Sequence, residues 1–274
     1  MYSILEKIYT KSSEQAVSDI LETYQQEEFA IVNFIYFANI VSQSLFSESK
    51  TKTEKEKEYK KILLKSDFLL PDGIALQLFY AGAYLFKCVD SDNKWLYNLN
   101  GTDFVPYFLT EVKKKIWAQK LCILLYGTKQ EYLDRVEEKL KFQWFNVIYT
   151  QDWFSDFDWE KAQDALAEYQ DTINILLVAR STSKIPLQEL WTSRNYQKIQ
   201  QNKLLVMNTW WLFDFIAGAQ KRAPKIWRTL KLEWLYRLLS DPKRNSQKVI
   251  NSLSIIPYFF RYVVFWTRKD ENNS

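Results

Sequence analysis

The chain has 274 residues, 47% of them apolar and 26% charged, enough for one α/β domain with an appendage or for two small domains. It contains no histidine and two cysteines, which leaves almost no room for a zinc site and excludes Ser-His or Cys-His nucleophilic devices. General-base chemistry must fall to Asp, Glu, Lys or Tyr.

The net charge of +4 is unevenly placed: residues 221–274 hold 12 Lys and Arg against 4 Asp and Glu, or +8, whereas residues 1–220 hold 25 against 29, or −4. That asymmetry points to an anionic partner for the C-terminal segment, whether membrane phosphates, nucleic acid or a pyrophosphate. Aromatic residues reach 17%, with 11 Trp, more than a core alone requires. Cys88 and Cys122 sit in apolar surroundings and read as buried free thiols. The N-terminus lacks a secretory pattern, and no run of about 18 apolar residues predicts a transmembrane helix. The expected location is therefore the cytoplasm.

In chain order, residues 12–27 predict a helix capped by Ser12 or Ser13, with Ala16, Ile20, Leu21 and Tyr24 on one face. A strand near 29–35 runs into a helix near 38–47, and the charged run that follows is a solvated loop or helix. Pro71-Asp72-Gly73 is a turn between a strand-like run and a helix. Asn100-Gly101-Thr102-Asp103 is a second turn, with Thr102 or Asp103 able to cap the next helix. A regular alternation follows: strand 121–127, helix near 130–142, strand 145–150, helix near 159–169, strand 173–180, helix near 186–200 and strand 203–209. This predicts an α/β fold with a Rossmann-like parallel sheet and flanking helices, over residues 1–220. Such a sheet binds ligands at the carboxyl ends of its strands. Here those ends are Gly127-Thr128, Gln151 to Trp153, Arg180 to Ser183, and Asn208 to Asp214. None carries a glycine-rich dinucleotide or P-loop pattern.

Residues 221–274 predict a basic, aromatic-rich helical appendage that binds the membrane. Pro224 suits the first turn of a helix whose Trp227, Leu230, Trp234 and Leu238 share a face, ended by Asp241-Pro242. A second run, 246–266, contains the aromatic-aliphatic stretch Ser254 to Trp266, which is too short to span a bilayer and fits an interfacial segment; the alternative is a pair of core-packing helices. Trp and Leu on one face suit lipid better than nucleic acid, so no nucleic-acid partner is expected.

The C-terminal stretch closely resembles the WecG/TagA/CpsF glycosyltransferases, which extend lipid-linked sugars in bacterial envelope polymer synthesis, teichoic acid among the products. The match is carried by Phe213-Asp214, Ala217-Gly218, Arg222-Ala223-Pro224, the run Leu232 to Leu238, and Pro242 with Arg244. Upstream, Pro71-Asp72-Gly73, Gly101-Thr102-Asp103, Gly127, and Gln188-Glu189 with Trp191 fall in the family's order and spacing.

The resemblance implies a GT-E architecture and a metal-independent, inverting transfer without a cofactor. A hexosamine-type sugar, N-acetylmannosamine or a relative, would pass from a UDP donor to an undecaprenyl-pyrophosphate-linked sugar. Asp72 would be the general base. Gly127, Trp153, Gln188, Glu189 and Asp214 would bind the donor, with Trp153 stacking on uracil. Arg222, Arg237, Arg244 and Asn39 would meet the acceptor or its diphosphate. The protein would sit peripherally on the inner face of the cell membrane, and a homo-oligomer is compatible with this.

Each residue also has a plainer role. Asp72 can be a turn residue, Glu189 can stabilise a helix N-terminus, and the arginines can be a solvated face. The chain departs from the family pattern at Tyr36, Asn98, Ser183 to Ile185, Asn208 to Trp211 and Gln247. Two consequences stand open: a shifted donor choice, or a weak or inactive member acting as a lipid-binding subunit of a polysaccharide synthesis complex.

Overall fold

The computed structural model describes residues 2–46, 54–116, 120–169, 171–180, 187–219, 223–224, 226–227, 233–240 and 255–264. Its centre is a six-stranded parallel sheet: β1 (Ala30–Tyr36), β2 (Phe68–Asp72), β3 (Leu121–Gly127), β4 (Asn146–Gln151), β5 (Ile173–Ala179) and β6 (Leu204–Asn208). The strand order is β2-β1-β6-β5-β3-β4, with every pairing parallel. Strands 1, 3, 5 and 6 are apolar runs because helices cover both faces, so neither side of the pleat meets water.

The period of two sorts the strand residues between layers. Val32, Phe34, Ile123, Leu125, Ile175, Leu177, Leu205 and Met207 face one core. That core is closed by α2 (Ser13–Glu27), α6 (Gly101–Lys115), α7 (Gln130–Phe142) and α11 (Leu212–Ile216). The opposite face holds two separate cores. Ile35 and Leu69 pack with α1 (Tyr2–Lys7), α3 (Phe37–Ser42), α4 (Glu54–Lys65) and α5 (Ile74–Leu85). Leu124, Tyr126, Leu176, Val178, Leu204 and Val206 pack with α8 (Trp159–Ala167) and α10 (Tyr196–Gln201). Between these two cores runs a polar seam, covered by α9 (Leu187–Arg194).

Local chemistry explains most element ends. Ser12 caps α2 by accepting from the Gln15 N–H at 3.3 Å. At α6 the cap is Asn100, not Thr102 or Asp103: its Oδ1 accepts from the Asp103 N–H at 3.0 Å, and its Nδ2 donates to the Asp103 carboxylate at 2.9 Å. The predicted helix 186–200 is two helices, divided at Asn195. The charged run is helical from Glu54, and α1 is an addition to the predicted elements. Both cysteines are buried and unbridged.

In the C-terminal segment, α12 (Glu233–Ser240) and α13 (Ile255–Phe259), which continues as a π-turn over Phe260–Val264, are described. The second packs on the α/β body. Tyr262 and Val263 are buried, the Tyr258 hydroxyl donates to the Val41 carbonyl at 3.4 Å, and Phe259 lies against Gly82 and Phe86. Its other face leaves Ile256 and Phe260 exposed, and Leu85 and Phe86 at the α5 end, where Phe86 meets Phe259, are exposed as well. Among the described residues no helix is long and apolar enough to cross a membrane.

Candidate active site

The polar residues singled out in the sequence gather in three places along the carboxyl edge of the sheet. Asp72 ends the edge strand β2, where Pro71 is tolerated because an edge strand has spare backbone positions. Its cross-strand partner is Tyr36, the last residue of β1. Gly73 follows at φ +88, a conformation that favours glycine, and its N–H donates to Asn98 Oδ1 at 2.9 Å. The Leu99 N–H donates to the Pro71 carbonyl at 2.9 Å. Asn98, a departure from the family pattern, therefore clasps the turn that presents Asp72. Burial first, then the charges of Asp72 and Glu189, push the Tyr36 phenol far above its ordinary range, so it stays protonated.

The second cluster lies where β3 leads outward to β4 while β5 leads inward to β6. That is a topological switch point, where open α/β sheets form their ligand crevice. Gly127 pairs with Ala179 there, and the Thr128 N–H donates to the Ala179 carbonyl at 3.1 Å. Thr128 Oγ1 donates to Asp214 Oδ1 at 3.1 Å, and the Trp153 N–H reaches the Thr128 carbonyl at 3.3 Å. Gly127, Trp153 and Asp214, remote in the chain, are thus joined through Thr128. The Trp153 ring stacks on Tyr126 (centroids 4.6 Å apart, planes at 23°), and the Arg180 guanidinium lies 4.2 Å from its centroid. Thr128 and Arg180 could be found in the sequence only by their position at strand ends.

The third cluster fills the polar seam. Gln188 and Glu189 are fully buried, not part of a solvated helix start. Gln188 Oε1 accepts from the Trp210 backbone N–H at 3.0 Å, while its Nε2 donates to Glu189 Oε1 at 3.3 Å. Asn208 Nδ2 donates to Asn33 Oδ1 at 2.6 Å and its Oδ1 accepts from Thr192 at 2.9 Å. Trp210 has φ +51, an outlier for so bulky a residue that costs on the order of 1–3 kcal/mol. Asn39, also buried, donates to the Tyr59 hydroxyl at 3.3 Å and lies beneath this edge. Arg222 and Arg244 fall outside the described residues, as does the side chain of Arg237.

Burial raises the Glu189 carboxyl from an ordinary value of 4.5 to about 7, against the opposing pull of its own backbone N–H, Gln188 and the Trp210 indole. The sign for stability follows. Between pH 4.5 and 7 the unfolded chain releases this proton while the folded chain keeps it, so stability falls as pH rises through that window and levels off above it. Relative to the wild type, Glu189→Gln should gain stability across the same interval. The full difference is about 3 kcal/mol from a shift of that size. Urea unfolding of both proteins at pH 5, 6, 7 and 8 measures it; parallel profiles would place the Glu189 proton elsewhere.

A parallel α/β sheet with a polar switch-point crevice and a carboxylate turn on one carboxyl edge is a scaffold of the kind that takes its ligand across the strand ends. A family match, Glycosyl transferase WecG/TagA/CpsF family, extends over residues 3–273. The chain belongs to that family and is a glycosyltransferase, for which the family implies, in general terms, a nucleotide-sugar donor and a lipid-linked acceptor.

Proposed function

We propose that the enzyme moves a hexosamine-type sugar, N-acetylmannosamine or a close relative, from UDP to an undecaprenyl-pyrophosphate-linked sugar with inversion and without a metal. The observation that carries this reading is the placement of the Asp72 turn and the switch-point cluster on the same sheet edge, four strand positions apart. At strand spacings of ~4.8 Å the two are separated by ~19 Å, room for an extended nucleotide diphosphate sugar between them.

The Asp72 carboxylate takes the acceptor hydroxyl's proton as that oxygen attacks the anomeric carbon. The bond from that carbon to the β-phosphate oxygen breaks on the opposite side, and UDP leaves. Inversion follows from a single displacement with base and leaving group at opposite ends. Uracil and ribose are assigned to Trp153, Thr128 and Asp214, with Gly127 in the floor of the crevice, and Arg180 supplies positive charge for the diphosphate. Gln188 and Glu189 face the transferred sugar. The acceptor approaches from the membrane side, with Asn39 beneath it and with Arg222, Arg237 and Arg244 serving its pyrophosphate. The exposed apolar residues Leu85, Phe86, Ile256 and Phe260 support a peripheral station on the inner membrane face.

Purified full-length protein should release UDP from one or more UDP-N-acetylhexosamines only when a short-chain lipid-pyrophosphate-GlcNAc acceptor is present. Absence of turnover across a panel of UDP-sugars, with no UDP-induced rise in Tm, would overturn the proposal.

A further inference from the structure

The chain between α5 and α6, residues 86–100, is an irregular loop, yet it is held at many points. Asn93 Nδ2 donates to the Thr10 carbonyl at 3.2 Å, and the Asn93 N–H donates to Ser91 Oγ at 3.2 Å. The buried Gln77 amide of α5 donates to the Leu96 carbonyl. Asn98 and Leu99 are bonded to the Gly73 and Pro71 backbone on either side of Asp72. A loop pinned in this way presents its side chains in one arrangement, the condition for binding at low entropic cost.

Leu96 is fully buried, whereas its neighbours Trp95 and Tyr97 are 39% and 51% exposed. The two rings are therefore turned outward while the residue between them anchors in the core. With Tyr84 of α5, Asp92, Asn93 and Lys94 they line a cavity of about 450 Å³, within the ~300–1,000 Å³ range of small-molecule sites. Its lining is three aromatic rings and three polar side chains.

That composition selects the ligand. A hydrocarbon would take water from Asp92, Asn93 and Lys94 and return nothing. A phosphate would meet one cation already balanced by one carboxylate. A pyranose suits both halves of the lining. Its axial C–H bonds form a weakly positive face that settles on the negative face of an aromatic ring, and its hydroxyls both donate and accept at Asp, Asn and Lys. Position supplies the source of that sugar. Tyr97 directly precedes Asn98, which holds the Asp72 turn, and Tyr84 directly precedes the exposed Leu85 and Phe86. The cavity thus belongs to the β2 edge, whereas the nucleotide cluster sits at β3, β4 and β5.

We propose that this cavity is a carbohydrate subsite that seats a pyranose ring of the lipid-linked acceptor beside Asp72. Trp95, Tyr97 and Tyr84 supply the stacking faces, and Asp92, Asn93 and Lys94 read the hydroxyls. The inference rests on the transferase reading and deepens it.

The test uses the full chain and saturation-transfer NMR, with N-acetylglucosamine and the disaccharide chitobiose as probes. Ring protons of the probes should receive saturation from the protein, and UDP should not displace them. Trp95→Ala and Tyr97→Ala should each weaken that binding about 10-fold, the loss expected when one ring's apolar contact is removed. Trp144→Ala, which removes an exposed ring just past α7, should change nothing. Turnover is then measured with lipid-pyrophosphate acceptors carrying one sugar or two. The same two variants should raise the acceptor KM by a similar factor and leave the UDP-sugar KM unchanged. A rise with both acceptors places the first sugar in the cavity, and a rise with the two-sugar acceptor alone places the second there. The proposal is overturned by any of four results: no saccharide binding at millimolar concentration, binding that survives both variants, displacement by UDP, or an acceptor KM that neither variant moves. Thermal unfolding checks that each variant folds, and the more exposed Tyr97 carries the test should Trp95→Ala not fold. Absence of turnover with every lipid-linked acceptor overturns the transferase reading instead, and the NMR then decides the subsite by itself.

Discussion

Asp72→Asn should reduce turnover by about 10²- to 10⁴-fold, the range expected when a positioned general base is removed. The amide matches the carboxylate in shape but cannot take up a proton at neutral pH, so the acceptor hydroxyl would have to attack without losing its proton. Affinity for UDP should not change, because the switch-point cluster is four strands away. The turn should persist, because the Gly73 N–H bond to Asn98 and the Leu99 N–H bond to Pro71 are both retained in the variant. Steady-state rates, UDP calorimetry and thermal unfolding of the same preparation check all three expectations. One chemical detail shapes the experiment. The substituted amide precedes Gly73, a sequence in which an asparagine side chain deamidates readily and would regenerate the carboxylate. Asp72→Ala closes that route and should show the same loss without recovery on storage. Full activity in both variants would remove Asp72 from the role of base.

The sheet was legible in the sequence because its strands are buried on both faces. Leu121 to Gly127, Ile173 to Ala179 and Leu204 to Asn208 are continuous apolar runs separated by amphipathic helices, and in a parallel sheet such runs can be little else. Strand ends then marked Gly127 and Asp214 as edge residues without any contact being known, whereas Asp72 read as a turn residue and was singled out by the family resemblance. The contacts themselves were not legible. Thr128 and Asp214 are 86 residues apart, and Trp210 and Gln188 are 22 apart, so neither pair leaves a periodic signal. The burial of Glu189 was hidden for the same reason: α9 has a carboxylate in its first turn, as solvated helices often do, and only the two cores on either side of the seam remove it from water. The α6 cap shows a smaller limit. Asn100, Thr102 and Asp103 are all competent caps, and which of them caps depends on where the chain leaves the segment that clasps β2. Asn98 read only as a departure from the family pattern, and its bond to the Gly73 N–H, which helps hold the Asp72 turn, left no mark in the sequence.

Gly127→Ala should be the most destabilising single methyl added to the edge. Gly127 has φ +142, a conformation that L-residues rarely adopt, and a Cβ placed on it would lie 2.1 Å from the Ala179 carbonyl oxygen and 2.6 Å from its carbon. Those atoms are backbone in the adjacent strand β5, so relief would require separating two central strands rather than rotating a side chain. Conformational strain alone costs about 1–3 kcal/mol, and overpacking adds a similar amount. A loss of about 3–5 kcal/mol corresponds to a fall in Tm of roughly 6–20 °C for a chain of this size. The same carbonyl accepts the Thr128 N–H, and Thr128 holds Asp214 and the Trp153 backbone, so the damage should reach the nucleotide crevice. UDP affinity should therefore fall with stability. Gly218→Ala supplies the contrast: its φ of +76 is also positive, but the nearest atom to an added Cβ is the end of the flexible Lys139 side chain at 3.8 Å. That variant should pay the backbone strain alone and keep its affinity for UDP. If Gly127→Ala unfolded no earlier than Gly218→Ala, the close approach of β3 and β5 at this point would not be the reason for the glycine, and its role would revert to contact with the nucleotide alone.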